Sequence, residues 1–342
     1  TGDHPIRGTV RATGFRFCYR VRRTIQATMS TSRILVIGSI NLDLVVRGTA
    51  LPAAGETVIG GRFFQASGGK GANQAVAAAR VSDEPVVLIA ATGNDPFGSQ
   101  LRSELGRENL HMDHVFQVDQ EATGVALILV DRDGENSISV APGANARLDT
   151  AHLDLVGDPI WKSAGIFLAS LEVPLETVAE GLKRARAHGL TTILNPAPAS
   201  KELARHPLMQ EVDLLTPNRQ EAELMTGMTV KDPDSAGRAG RQLQHHGPRR
   251  VIITLGAEGA VLIDDEIHLL PATQVDTVDT TAAGDCFNGV LAAALARQED
   301  LLSAAQQATI AAGICVTRPG AQPSLPTRDE LSKWKQAGAD ST

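Results

Sequence analysis

Apolar residues along this chain fall into two alternating patterns. Short continuous runs at 34–37, 86–90, 166–169, 191–194, 214–216 and 251–254 predict strands buried on both faces, as in a parallel sheet. Between them, apolar and alanine positions at helical spacing predict helices over 72–81, 96–105, 175–188, 221–225 and 236–246, followed by 286–296 and 301–316. This strand–helix alternation predicts a doubly wound, mostly parallel α/β fold with helices flanking the sheet. Two regions break the rhythm, 45–64 and 123–140. They carry strand-like segments at 57–64, 124–130 and 136–140, with a hairpin signal at Asp133-Gly134. They predict a small β-sheet projecting from the main domain, placed to act as a water-excluding lid.

Composition narrows the reading. The 342 residues suffice for one large α/β domain or two smaller ones, and 42% hydrophobic with 21% charged residues allows a sizeable core. A net charge of −7 argues against a nucleic-acid surface. Cys18, Cys286 and Cys315 make no disulfide framework and fit a reducing, cytoplasmic setting, and no apolar run is long enough to span a membrane. The start of the chain stands apart. Arg7, Arg11, Arg16, Arg20, Arg22 and Arg23 occur with no acid after Asp3, and Met29 precedes a fresh start at Ser30-Thr31-Ser32-Arg33. Residues 1–32 read as an Arg-rich leader, either a transit peptide or, by preference, a cloning artefact or mis-set start, and are expected to be poorly ordered. The α/β domain is set at 33–330, with its lid at about 45–64 and 123–140, and 331–342 is read as a tail.

The strongest chemical signal is Asp279-Thr280-Thr281-Ala282-Ala283-Gly284-Asp285-Cys286-Phe287-Asn288-Gly289. A small turn opens an apolar helix whose first turn carries a carboxylate. Free N–H groups at a helix start hold anions, and Asp285 beside them is placed to take a proton from a hydroxyl. That pairing suits phosphoryl transfer to an alcohol, although Asp285 alone reads more readily as a helix cap. Gly68-Gly69-Lys70-Gly71-Ala72-Asn73-Gln74 fails the Walker pattern at Phe64 and Gly71. It reads as a close-approach turn in which Lys70 and Asn73 suit the hydroxyls of a polyol. Asn41 and Asp43 follow the first strand, where ligands bind in open α/β sheets, and one carboxylate there can accept from two vicinal hydroxyls. Asn218 and Glu221 share the first turn of a helix. They form either a site for a hydrated Mg²⁺ or a capping box. Thr254-Leu255-Gly256-Ala257-Glu258-Gly259 is either a backbone platform for a nucleotide or a hairpin turn. His111, Asp113 and His114 lack a third ligand and read as surface residues.

Together, in order, these segments resemble the PfkB sugar-kinase family. The resemblance runs from about Arg33 to Arg328 through the segments 38–43, 52–57, 68–77, 123–126, 195–198, 216–221, 254–259, 279–289 and 316–326. It implies ATP-dependent phosphorylation of D-ribose at O5, with 316–324 pointing to ribose within the family. The alternatives are another small-sugar or nucleoside kinase, such as a deoxyribokinase or fructokinase, or a non-catalytic sugar-binding regulator. By the resemblance, Asn41, Asp43, Gly69, Lys70, Asn73 and Glu172 bind the sugar and Asp285 is the base. Ala282, Ala283 and Gly284 donate to the phosphoryl oxygens, and Asn218 and Glu221 sit near Mg²⁺. Residues 254–259 (Thr254, Leu255, Gly256, Ala257, Glu258, Gly259), together with Thr309, Asn218, Gly284 and Asp285, contact the nucleotide. Asp279, Thr281, Cys315, Arg318, Gly320 and Ser324 form a K⁺ site, mostly through carbonyls. A homodimer through the lid is implied, with no nucleic-acid or membrane partner. The chain departs from the family at Cys286, where threonine is usual. A small side chain is kept there, so catalysis is expected to survive and thiol reagents to inhibit.

Overall fold

The computed structural model describes residues 33–339, so the leader at 1–32 lies outside the described residues. The described residues start in the middle of a sheet with β1 (Arg33–Ile37) and leave it at once for a lid hairpin, β2 (Asn41–Arg47) and β3 (Arg62–Gly68). It returns through α1 (Lys70–Val81), β4 (Val86–Gly93), α2 (Pro96–Leu105), β5 (Leu110–His111) and β6 (Val115–Val118). A second lid hairpin follows, β7 (Gly124–Val130) and β8 (Asn136–Ala141). Two short helices, α3 (Thr150–Asp154) and α4 (Asp158–Ser163), lead to β9 (Ala164–Ser170), α5 (Leu175–Ala187), β10 (Thr191–Asn195) and β11 (Leu214–Leu215). Then come α6 (Arg219–Thr226), α7 (Pro233–Gln244), β12 (Arg250–Thr254), β13 (Ala260–Ile263) and β14 (Ile267–Leu270). The helices α8 (Ala283–Ala296), α9 (Leu301–Cys315) and α10 (Arg328–Ala339) close the chain.

The large sheet runs β14-β13-β12-β11-β10-β9-β1-β4-β5, with β6 also paired to β4. It is parallel from β12 to β4, and only β13 and β14 are antiparallel. The order reverses between β1 and β9, and such a switch point opens a crevice beyond the carboxyl ends of the strands. Here Ser39 follows β1 and Glu172 follows β9, and the Ser39 hydroxyl donates to the Glu172 carboxylate across the reversal. Two apolar cores cover the two faces of the sheet. One is formed with α1, α8 and α9, the other with α5 and α7.

The predicted strands and helices of the main domain all appear, with ends shifted by a few residues. The differences lie where pairing partners decide. Asn41 and Asp43, read as following the first strand and lying outside the lid expected at 45–64, belong to strand β2, which pairs with both β3 and β7. The strand expected at 57–64 is found at Arg62–Gly68, because its register is set by Asn41↔Gly68 through Arg47↔Arg62. The edge strand β14 and the short helices α3 and α4 were not anticipated. Helix α10 crosses the boundary placed at residue 330 and buries Leu331 in the core, so residues 331–339 continue the domain.

Helices α1 and α8 carry the site, and their composition sets how closely they approach. Both are rich in alanine, and a Cβ at Gly289 would lie 2.4 Å from the Gln74 carbonyl oxygen and 2.6 Å from the Ala77 Cβ. Only small residues permit this approach, which brings the α1 amides within reach of the α8 carboxylate. The start of α1 is pressed equally hard on the turn after β1, where a Cβ at Gly71 would lie 2.4 Å from the Gly38 carbonyl carbon.

Candidate active site

Asp285 sits in the first turn of α8 and is buried. It is not the cap of its helix. The N-cap is Ala282, held at φ 60°, with no side-chain hydrogen bond capping the helix start. A left-handed alanine is a strained position, and such strain persists only where the surroundings impose it. The Asp285 carboxylate faces α1 instead. Its Oδ2 accepts from Asn73 Nδ2 and its Oδ1 from Gln74 Nε2, both at 3.0 Å. Burial pushes this carboxyl above its ordinary range, opposed by the Lys70 charge and by the Asn73 and Gln74 donors. Burial would lower Lys70, but the charges of Asp285, Glu172 and Glu221 override it and raise the ammonium above its usual value. The centre is therefore a lysine among carboxylates at the start of a helix.

Two cavities meet at this helix start. One of about 210 Å³ is polar and lined by Lys70, Asn195, Asn218, Glu221, Gly284 and Asp285 among others. The other, of about 400 Å³, is lined mostly by Gly256, Ala257, Gly259, Val275, Thr309 and Gly313 and their apolar neighbours. Thr254, Thr280, Ala283 and Gly284 line both. A Cβ at Gly284 would meet nothing within 4 Å, so the space in front of that residue is open. Among the first N–H groups of α8, that of Ala283 already donates to Thr280 at 3.3 Å, which leaves Gly284 and Asp285 as the better placed donors of the turn.

The expected sugar residues divide into two sets. Lys70 and Asp285 line the polar cavity, while Asn41, Asp43, Gly69, Asn73 and Glu172 do not. Asp43 nonetheless lies close to that cluster: burial raises its pKa to about 7, with Glu172 and Asp285 adding to the rise. Glu172 accepts from Ser39 and from the Lys70 backbone N–H. Asn41 is committed elsewhere, its Oδ1 accepting from Asn145 Nδ2 at 2.8 Å. Asn145 also holds both backbone groups of Ile40, so it fixes the entry to the lid strand, a role its sequence context did not reveal.

Asn218 and Glu221 form a capping box, each side chain accepting from the other's backbone at 2.8 Å, and both still line the polar cavity. Burial raises Glu221 above the usual carboxylate range. In the 254–259 segment, Thr254, Gly256, Ala257 and Gly259 line the larger cavity. Leu255 is instead packed in the core and Glu258 pairs with Arg219. The segment is also the hairpin turn between β12 and β13. Asp279 ties the two expected cation loops together: Oδ1 accepts from the Thr281 N–H and hydroxyl, Oδ2 from the Gly320 N–H. These bonds, set against burial, keep its carboxyl below the usual range. The Arg318 side chain pairs with Glu330, and the Ser324 hydroxyl bonds Ala321 and Cys315. Side chains from those two residues are thus already engaged within the protein. Asn195, Thr216, Thr280 and Asn288 belong to the site but carry no signal by themselves.

A helix start with free N–H groups and a buried carboxylate beside it, between a polar and a largely apolar cavity at the carboxyl ends of β10, β11 and β12, has the parts of a phosphotransferase that moves a nucleotide's phosphoryl group to a hydroxyl. The chain belongs to the pfkB family of carbohydrate kinases, whose model matches residues 31–328. A ribokinase of Haemophilus influenzae is 39% identical over 302 residues, covering 88% of this chain and 97% of that protein. A deoxyribokinase of Salmonella typhi is 35% identical over 303 residues, covering 88% and 98%. The structure of Arabidopsis thaliana ribokinase complexed with ribose and ATP superposes with a TM-score of 0.79 at 29% identity, covering 89% of this chain and 99% of that one.

Proposed function

We infer that the chain transfers the γ-phosphoryl group of ATP to the O5 hydroxyl of D-ribose, giving D-ribose 5-phosphate and ADP. The observation that carries the reaction class is Asp285, buried at the wall of the polar cavity next to Gly284, which lines both cavities. The sugar assignment is supported by the names of the relatives and by the placement of Asp43 on lid strand β2, near Glu172 and Asp285. In this reading Asp43, Lys70 and Glu172 hold the sugar, with Asn41, Gly69 and Asn73 shaping its surroundings. The O5 proton passes to Asp285 as O5 bonds to the γ-phosphorus and the bond to the ADP oxygen breaks. The Gly284 and Asp285 N–H groups of the turn and Lys70 stabilise charge on the transferred group, and positioning supplies most of the rate. Thr254, the glycines of 256–259 and Thr309 seat the nucleotide.

Mg²⁺ would be held chiefly by nucleotide phosphates and water, with Asn218 and Glu221 beside it. The residues present fit that mode, since Asn218 and Glu221 bring one amide and one carboxylate to the wall of the polar cavity. When bound, it neutralises charge on the phosphates. A homodimer through the lid is supported by one face of the small sheet, where Val46, Phe63 and Leu127 are exposed beside Leu44 and Leu129. Among the described residues no helix is long and apolar enough to cross a membrane.

The function is tested by coupled ADP release on D-ribose, 2-deoxy-D-ribose, D-fructose and a nucleoside. D-ribose is expected to exceed each of the others in kcat/KM by at least roughly tenfold, as a site built for particular hydroxyls requires. A different sugar at the top would overturn the substrate, and turnover of none would leave a sugar-binding regulator. The cation loops carry a second expectation. Asp279 leads directly into the Ala282 turn, so a large monovalent ion bound there would fix the N–H donors. At constant ionic strength, K⁺ is expected to support turnover several-fold better than Na⁺ or a bulky organic cation. Asp279→Ala should abolish that preference, and equal rates in all three ions would refute activation.

A further inference from the structure

We propose that Gln74 is a positioning residue for phosphoryl transfer, acting through a closed ring of buried hydrogen bonds that ties the base to the anion-binding turn. The ring can be followed bond by bond. Gln74 Nε2 donates to Asp285 Oδ1 and to Asn195 Oδ1, both at 3.0 Å. Asn195 Nδ2 donates to the Thr216 carbonyl at 3.0 Å. The Thr216 hydroxyl donates to Asn288 Oδ1 at 2.6 Å, and Asn288 Nδ2 donates to the Gly284 carbonyl at 2.8 Å. Gly284 precedes Asp285, which closes the circuit. Four elements contribute, α1, β10, the end of β11 and α8, and every side chain in the ring is buried.

The chemistry of each member fixes its orientation. Both Nε2 protons of Gln74 are spent on acceptors, a carboxylate oxygen and an amide oxygen. Turning the amide over would set its oxygen against both of those acceptors, so the neighbours permit one orientation only. Its Oε1 has no hydrogen-bond partner, a cost in a buried place that the two Nε2 bonds must outweigh. Asn288 acts on the other side of the same peptide. The Gly284 carbonyl and the Asp285 N–H belong to one planar trans unit, so holding the carbonyl sets the direction of the N–H. The ring therefore grips the base by its carboxylate and the anion-binding turn by a peptide plane. Phosphoryl transfer depends on both being in place together. Loss of the Gln74 donor also removes one of the bonds that favour the ionised carboxylate against burial.

The inference rests on Asp285 being the base, so the test is run beside Asp285→Asn. If Asp285→Asn stays active, that reading fails first; if it is inactive, the following outcomes judge the ring alone. Gln74→Leu should lower kcat by about ten- to a hundredfold, the range expected for a bond to a charged group. The KM for ribose should change little. The acid limb of kcat, measured at saturating ribose and MgATP, should move up by roughly one pH unit, because the ionised base has lost a donor. Thr216→Val, nearly isosteric, should lower kcat without moving that limb. The double variant should fall short of the product of the two effects, as expected within one network. A Gln74→Leu enzyme with a lower melting temperature but an unmoved limb would show a merely structural role and overturn the proposal. Should Gln74→Leu not fold, Thr216→Val with unchanged kcat would overturn it as well.

Discussion

Asp285→Asn is expected to lower kcat by roughly two to four orders of magnitude, the range for loss of a general base. The binding of ribose and of ATP should be nearly unchanged, because asparagine keeps the shape and part of the hydrogen bonding. Unfolding can be told apart from lost chemistry by the sign of the stability change. Burial raises the folded-state pKa of Asp285 above its unfolded value. The stability tied to its protonated form is complete below the unfolded pKa and is lost as pH rises through the folded one. At pH 8 the wild type carries that cost and the asparagine variant does not. The variant should thus melt no lower than the wild type while turning over far more slowly. Most of the activity retained in Asp285→Asn would remove Asp285 from the mechanism.

Asp43→Ala should weaken ribose binding by roughly a hundredfold or more while leaving the affinity for ATP alone. Two hydroxyls donating to one carboxylate make two charge-assisted bonds, each stronger than a neutral one. The same carboxyl predicts a pH dependence. Burial, then Glu172 and Asp285, push its pKa to about 7 in the free protein. The hydroxyls donate to the ionised form, so ribose affinity should rise with pH through about 7 and level off above it. Binding near that pH should release protons, measurable by calorimetry in buffers of different ionisation enthalpy. In Asp43→Asn both the slope and the release should vanish. Equal losses for sugar and nucleotide in Asp43→Ala would make the residue structural.

The sequence by itself determined the layers of this protein. A continuous apolar run is what a strand covered on both faces requires, so β1, β4, β9, β10 and β12 were legible from local pattern. Helical spacing did the same for α1, α2, α5 and α8. It also placed a carboxylate in the first turn of α8, because position within a turn is a local property. What pairs with what was decided by the tertiary structure. Residues 62–68 form β3, in place of the expected 57–64, because β2 sets their register, and β2 itself is a strand only because two others flank it. Likewise the Asn218–Glu221 pair reads as a metal site or a cap from sequence. The fold makes it a cap that also borders a cavity. The clearest case is Gln74, 211 residues from the aspartate it holds. Its spacing carries no trace of that bond. The bond exists because alanines and Gly289 let two helices approach until an amide and a carboxylate meet, and local periodicity records which face is buried but not which buried polar groups will face each other.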